Sequence, residues 1–237
     1  MTNEPALPPA DPGSAVTADP NPANMTLDEL RPVLVREMLP DVAFDGWTIA
    51  AAEAAAERLG VPKERAGLCF PRAERDMVAA WIDVSDEDMV AAMALEGVAD
   101  MKIRERIRRG VEIRLEQAAP YKEAVREALQ ILARPQNAPH AARSLWTTAD
   151  RLWRAAGDTA TDFNHYSKRA ILSGVYSSTL LYWLQDDSED FSATRTFLER
   201  RIDDVMKIEK VKAEARRARA RLPSPIRFFG RLRYPGA

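Results

Sequence analysis

Apolar residues recur along most of the chain at intervals of three and four, the spacing of a helix face laid against a core. No segment alternates in the Val/Ile/Thr-rich, period-two manner of a strand. The pattern therefore predicts an all-α protein with helices near 26–39, 48–59, 63–68, 72–95, 100–118, 120–133, 138–156, 161–186, 189–220 and 224–233. Predicted breaks follow Pro40, Gly60, Pro71, Gly97, Pro120, the run RPQNAP and Gly157, where ring or glycine geometry interrupts the periodicity.

The chain divides into three stretches by composition. The first 24 residues hold six prolines and no lysine or arginine, so 1–25 is read as a disordered leader and not as a signal or transit peptide. Residues 26–206 form the helical domain, and 207–237 a basic extension. With 237 residues and 46% hydrophobic content, a substantial core is affordable. A single cysteine, Cys69, forms no internal disulfide, which points to a reducing compartment. Two histidines and one cysteine give no metal cluster, and no cofactor is expected. Net charge is −2, but residues 205–237 carry ten Lys/Arg against two Glu, leaving −10 on 1–204. A basic tail on an acidic body predicts an anionic partner at the C-terminus, a membrane surface or a nucleic acid.

FDGWTIAAAEAAAERLGVPKERAGLCFP (Phe44 to Pro71) has the helix, glycine turn and short second helix of a helix-turn-helix of the TetR type. Its charge argues against DNA: residues 26–80 hold seven Lys/Arg against ten Asp/Glu, and the second helix offers only Lys63 and Arg65. No nucleic acid partner is expected, and the lobe is read as degenerate.

AILSGVYSSTLLYWL (Ala170 to Leu184) is fifteen residues without a charge, short of the roughly 20 that span a bilayer. It reads as a central core helix. Phe163, Ala170, Gly174 and Ser178 fall on one side of it, with Ser173, Ser177 and Leu181 near by. Such a stripe either lets another helix approach closely or leaves a channel for a slender ligand.

Immediately before it stands AGDTATDFNHYSKRA (Ala156 to Ala170). Gly157 ends one helix and Thr161 or Asp162 caps the next. Asp162, His165, Tyr166 and Arg169 stand at i, i+3, i+4 and i+7, one face that points away from the small residues. With no nucleophile, paired base or second histidine, catalysis is poorly served, and a docking surface is the better reading.

The run LWRAAGDTATDFNHYSKRAILSGVYSSTLLYWLQDDSEDFSATRTFLERRIDDVM (Leu152 to Met206), together with FDGWT and ILARPQNAP, resembles the ubiquinone-biosynthesis accessory proteins, lipid-binding relatives of the TetR repressors. The resemblance covers roughly Leu30 to Met206. It implies a TetR-like helical bundle that is not an enzyme, with a degenerate helix-turn-helix lobe and a ligand-binding lobe. It further implies an apolar cavity for an isoprenoid or acyl tail, and help to a membrane-associated ubiquinone-pathway hydroxylase. Carried over position by position, the docking patch falls on Asp150, Leu152, Trp153, Asp162, His165, Tyr166 and Arg169. His165 stands where the family has tryptophan, and it buries less apolar area. The stripe of Phe163, Ala170, Ser173, Gly174, Ser177, Ser178 and Leu181 then reads as the cavity wall.

LPSPIRFFGRLRYPGA (Leu222 to Ala237) interleaves large apolar side chains with arginines. Ile226, Arg227, Phe228, Phe229, Arg231, Leu232 and Arg233 are the expected membrane-binding residues of a short amphipathic element. The sequence-level expectation is a lipid carrier, homodimeric as TetR relatives usually are, peripheral at the inner membrane face of a bacterial cytoplasm. The rival reading is a TetR-type regulator that responds to a lipophilic ligand.

Overall fold

The computed structural model describes residues 21–159 and 163–205, with Phe163 and Asn164 described by their backbone alone. The described residues contain helices and turns and no strand. The chain divides into two compact units, 1–80 and 81–237.

The first unit is built on α1 (Leu27–Asp45), α2 (Ile49–Arg58) and α3 (Glu64–Cys69). Thr26 starts α1 with a capping box: its hydroxyl accepts from the Glu29 amide at 3.3 Å, and Glu29 accepts from the Thr26 amide at 2.8 Å. Leu30, Leu34, Val35 and Met38 of α1 are buried with Ala51, Ala52, Ala55 and Ala56 of α2. The alanine face lets the two helices approach closely.

The expected break at Pro40 does not occur; α1 continues to Asp45 and ends at Gly46, whose φ of 70° suits glycine. Proline removes one backbone donor, a cost of about 3 kcal/mol in a helix interior. Arg58 bridges the interrupted turn from outside, donating to the Glu37 carboxylate at 2.7 Å, the Glu37 carbonyl at 2.9 Å and Asp41 at 2.6 Å. Burial of Val42 beyond the proline adds a reason to stay helical.

At the end of the expected leader, Pro22–Asn24 forms a 3-10 turn. Arg65, one of two cations on the would-be recognition helix, donates to the carbonyls of Ala23, at 2.7 Å, and Met25. Its guanidinium is thus engaged by backbone.

α4 (Glu74–Leu95) contains the division between the units. The second unit continues with α5 (Ile103–Ala118), α6 (Lys122–Leu132), α7 (Ala138–Ala155), α8 (Phe163–Trp183) and a helix over 192–205, here α9. α7 and α8 pack along each other. Gly110 of α5 allows a close crossing, since a Cβ there would meet Met93 Sδ of α4 at 2.8 Å and Leu152 Cγ of α7 at 3.2 Å. In RPQNAP, buried Asn137 donates to the Ile131 carbonyl at 2.7 Å and ties the turn to the end of α6.

Between α8 and α9, Asp186 accepts from the Ser188 amide at 2.9 Å and hydroxyl at 2.6 Å, and from the Thr194 amide at 2.8 Å and hydroxyl at 2.6 Å. Burial alone would raise this carboxyl, but the four donors hold it down at about 2.

The expected membrane-binding residues Ile226 to Arg233 and the remainder of 206–237 lie outside the described residues, as do 1–20, Thr161 and Asp162.

Candidate functional site

Helix α8 buries Arg169, Leu172, Val175, Tyr176, Thr179 and Trp183 and turns Tyr166, Ala170, Gly174 and Leu181 to solvent. For Arg169, Ala170 and Gly174 this reverses the orientation expected from the sequence, whereas Tyr166 is exposed as expected. Leucine, valine, tyrosine and tryptophan each remove far more apolar area from water than alanine or glycine, at about 25 cal/mol per Å2, so the large residues take the inside. Ala170 and Gly174 are therefore not cavity walls; a Cβ placed on Gly174 would have no neighbour within 4 Å. Ser178 is half-buried and its hydroxyl is spent on the Gly174 and Val175 carbonyls at 2.8 and 3.0 Å. Ser173 is half-buried too, and away from the cavity. The side chain of Phe163 lies outside the described residues.

A cavity does lie beside this helix, on its other side. It has a volume of about 350 Å3 and includes Ser177 and Leu181 of the expected set. The remaining wall comes from α5, α6, α7, the residues following Ala80, and Tyr176 and Leu180 of α8, with Ala128, Leu129, Leu132 and Leu145 among its apolar side chains. Exposure grades along it. Trp81, Arg114, Thr148 and Tyr176 are all buried, whereas Ala133 is exposed and Leu181 is 57% exposed. Along α7 the lining runs from Thr148 to Ala141, roughly 10 Å at about 1.5 Å per residue. The cavity thus has an inner end at Arg114 and a mouth near Ala133 and Leu181.

The inner end is polar. Arg114 Nε donates to Asp86 at 3.1 Å, and the Thr148 hydroxyl donates to the other oxygen of Asp86 at 2.8 Å. Arg151 stands 3.5 Å from the same carboxylate and 3.0 Å from Asp83. Burial pushes the Asp86 carboxyl up, against the pull of Arg114, Thr148 and Arg151. Burial likewise pushes up the Tyr176 phenol, keeping it protonated. Trp81, Arg114 and Tyr176 are not among the residues expected from the sequence. Arg114 carried a readable signal, because it sits among Val111, Ile113 and Leu115 on the buried face of α5.

The expected docking residues form a second cluster, with a different geometry from that predicted. Arg169 is 1% exposed and lies between α7 and α8, held by Asp150, by Asp158 at 3.2 Å and by the His165 carbonyl at 3.1 Å. Leu152 is buried too. Both belong to the interior because the chain after α7 turns at Gly157, φ 90°, and brings Asp158 under α8. Lys168 completes the arrangement, pairing with Asp158 at 2.6 Å and lying 5.2 Å over the Trp153 ring, whose Nε1 donates to the Lys168 carbonyl at 3.0 Å. Burial alone would raise the Asp150 carboxyl, but Arg169 and Arg154 hold it below the usual range. Tyr166 is exposed, with its ring 5.2 Å from His165 and 6.1 Å from Trp146. The accessible part of the expected patch is therefore Tyr166, half-buried His165 and Trp153, and the edge of Asp150. Asp162 lies outside the described residues.

Known proteins resemble this chain in the same region. A family model named COQ9 matches residues 138–209, from the start of α7 into α9 and beyond. "Ubiquinone biosynthesis protein COQ9, mitochondrial" of Rattus norvegicus is 34% identical over 177 residues, 72% of this chain and 55% of the rat protein. The Homo sapiens protein of the same name is 32% identical over 186 residues, 76% of this chain and 58% of its own length. The chain is therefore similar to COQ9 proteins over some three quarters of its length, 72% against the rat protein and 76% against the human one. It spans somewhat over half the length of these COQ9 relatives. The fold is also that of a TetR transcriptional regulator from Nitrosomonas europaea ATCC 19718, with a TM-score of 0.59, 23% identity, and coverage of 74% of this chain and 97% of that one. At that identity the likeness concerns the fold: an all-helical TetR-like architecture. The COQ9 match takes in the whole Asp150–Asp158–Arg169 cluster and, through α7 and α8, part of the cavity wall. Among the described residues no helix is long and apolar enough to cross a membrane, and no group of His, Cys, Asp and Glu is placed to hold a metal ion.

Proposed function

We propose that this chain acts in ubiquinone biosynthesis as a non-catalytic, lipid-binding accessory protein. The observation that carries the reading is the apolar cavity of about 350 Å3 in a chain similar to COQ9 proteins. Its volume is within the roughly 300–1,000 Å3 of ligand pockets, and away from the polar inner end its walls are mostly leucine and alanine. The cavity takes up the isoprenoid or acyl tail of a quinone intermediate or a phospholipid. Removal of that tail from water supplies affinity. The exposed Tyr166, with His165, Trp153 and Asp150, docks a membrane-associated pathway hydroxylase, where the chemistry takes place. Buried Leu152 and Arg169 hold that surface in shape from beneath. The basic tail holds a homodimer against the inner face of the membrane.

Lipid extraction and native mass spectrometry of gently purified protein test this reading. A co-purifying lipid with a long apolar tail is the expected result. A protein that remains empty, and that takes up no added isoprenoid or acyl lipid, overturns it. The TetR-like fold favours a DNA-binding alternative, which a gel-shift assay at low salt separates; engagement of Arg65 by backbone carbonyls and the acidic N-terminal unit predict no shift.

A further inference from the structure

We propose that the inner end of the cavity binds an oxygen acceptor carried on an apolar chain, a carboxylate or a quinone-type carbonyl, through Arg114 and Tyr176, so that the ligand enters polar end first. This rests on the cavity reading above and names the chemistry the cavity selects.

Two observations carry it. Arg114 has 6% of its side chain exposed, lines the cavity, and among the described residues has one hydrogen-bond partner, Asp86, reached through Nε. Its two terminal nitrogens, with four N–H donors, have no hydrogen-bond partner among those residues. These donors open onto the cavity, so an acceptor that enters it meets a guanidinium already held in place by Asp86. Beside it, the Tyr176 hydroxyl also has no hydrogen-bond partner among the described residues, although the residue is 9% exposed and lines the same space. The Thr148 hydroxyl, by contrast, is committed to Asp86.

The local charge balance favours an acceptor over a cation. Asp86 is shared by Arg114, Thr148 and Arg151, so its oxygens are already occupied, while the guanidinium edge is open. A guanidinium presents parallel donors that match a carboxylate or a ring carbonyl. A phospholipid head group is too large and too hydrated for an end enclosed by Trp81, Thr148 and Tyr176. The chain of the ligand then runs over Ala128, Leu145 and Leu180 to the mouth at Ala133 and Leu181.

The test uses full-length protein stripped of lipid and three probes read by tryptophan fluorescence, since Trp81 lines the cavity. The probes are 8-bromooctanoate, 2-hexyl-1,4-benzoquinone and headless 1-bromooctane. In the paired variant Arg114→Met/Asp86→Leu, which removes both charges together, affinity for the two headed probes falls about tenfold while bromooctane stays within about twofold. Tyr176→Phe lowers the headed probes about threefold and gives a second arm with little risk to the fold. If all three probes respond alike to both variants, the polar anchor is wrong and the cavity reading stands. If none of them binds the unaltered protein, the cavity reading fails and this inference with it. A loss for the carboxylate alone, or for the quinone alone, supports the anchor and tells which source fills it.

Discussion

Two buried arginines of the second unit occupy opposite situations. Arg169 meets two carboxylates and a carbonyl, and a neighbouring lysine shares one of those carboxylates. Arg114 meets one carboxylate through one nitrogen and faces a cavity with the rest. A buried guanidinium surrounded by protein acceptors joins helices; one left partly open beside apolar space is poised for something that comes and goes. Burial alone does not separate the two. The number and direction of acceptors does, and that number is set by how the loop after α7 and the neighbouring turns of α4 fold.

The comparison breaks hardest at Arg169. Arg169→Met leaves Asp150 and Asp158 charged beneath α8, and removing one member of a buried ionic cluster costs about 3–5 kcal/mol. Urea unfolding is expected to show that loss in the midpoint with the slope unchanged. An effect below about 1 kcal/mol would mean that the cluster is hydrated and not structural. Arg114→Met alone also leaves a buried carboxylate, Asp86, and costs about 3 kcal/mol. Adding Asp86→Leu returns most of that, because a neutral pair of similar size replaces the ion pair. No single second substitution restores Arg169→Met, since its bonds to Asp150, Asp158 and the His165 carbonyl are lost together. Equal rescue at both sites would erase the distinction between them.

Asp186 sharpens the comparison by an intermediate amount. Its folded pKa, at about 2, is below the ordinary aspartate value of 3.8. Its contribution is therefore present above about pH 4 and is lost as pH falls toward 2. Asp186→Asn removes the pH dependence in that window and lowers stability at neutral pH by about 1–2 kcal/mol, as loss of a helix cap does. Thermal melts of the two proteins from pH 7 to pH 2.5 check it: the unaltered protein loses its advantage on acidification. Melts that stay parallel throughout would show that the hydrogen bonds from Ser188 and Thr194 favour no particular charge state.

Much of the fold was legible because helix periodicity and capping are local. Nearly every predicted helix of the described residues appears, and the exception at Pro40 has a long-range cause in Arg58, 17 and 21 residues away from its partners. The sequence points to a cavity beside the charge-free helix through its stripe of small residues and the family resemblance, and one is present. Which side of that helix faces it was not. A stripe of Ala170, Gly174 and Ser178 looks the same whether it lines a hollow, receives a helix or meets water, and only the competing area of Leu172, Tyr176 and Trp183 decides. The spacing from Asp162 puts Arg169 on an outward face, and nothing local tells that Asp158 folds back to meet it. Arg114 was passed over because a charged residue inside an apolar run invites the reading of a solvated position.

The smallest effect addresses that inverted face directly. Gly174 is exposed, lies in the interior of α8, and a Cβ there touches nothing within 4 Å. Alanine at such a position is favoured over glycine by about 0.5–1 kcal/mol, through the reduced freedom of the unfolded chain. Gly174→Ala is therefore expected to raise the melting temperature by about 2–4 °C and to leave binding of the headless probe 1-bromooctane unchanged. Had Gly174 lined the cavity, the added methyl would intrude on the ligand and binding would weaken. Had it received a neighbouring helix, the substitution would destabilise. Three placements thus give three signs for one methyl group. Stabilisation without loss of binding assigns the small residues to solvent and leaves the cavity to the side of α8 that carries Tyr176 and Leu180.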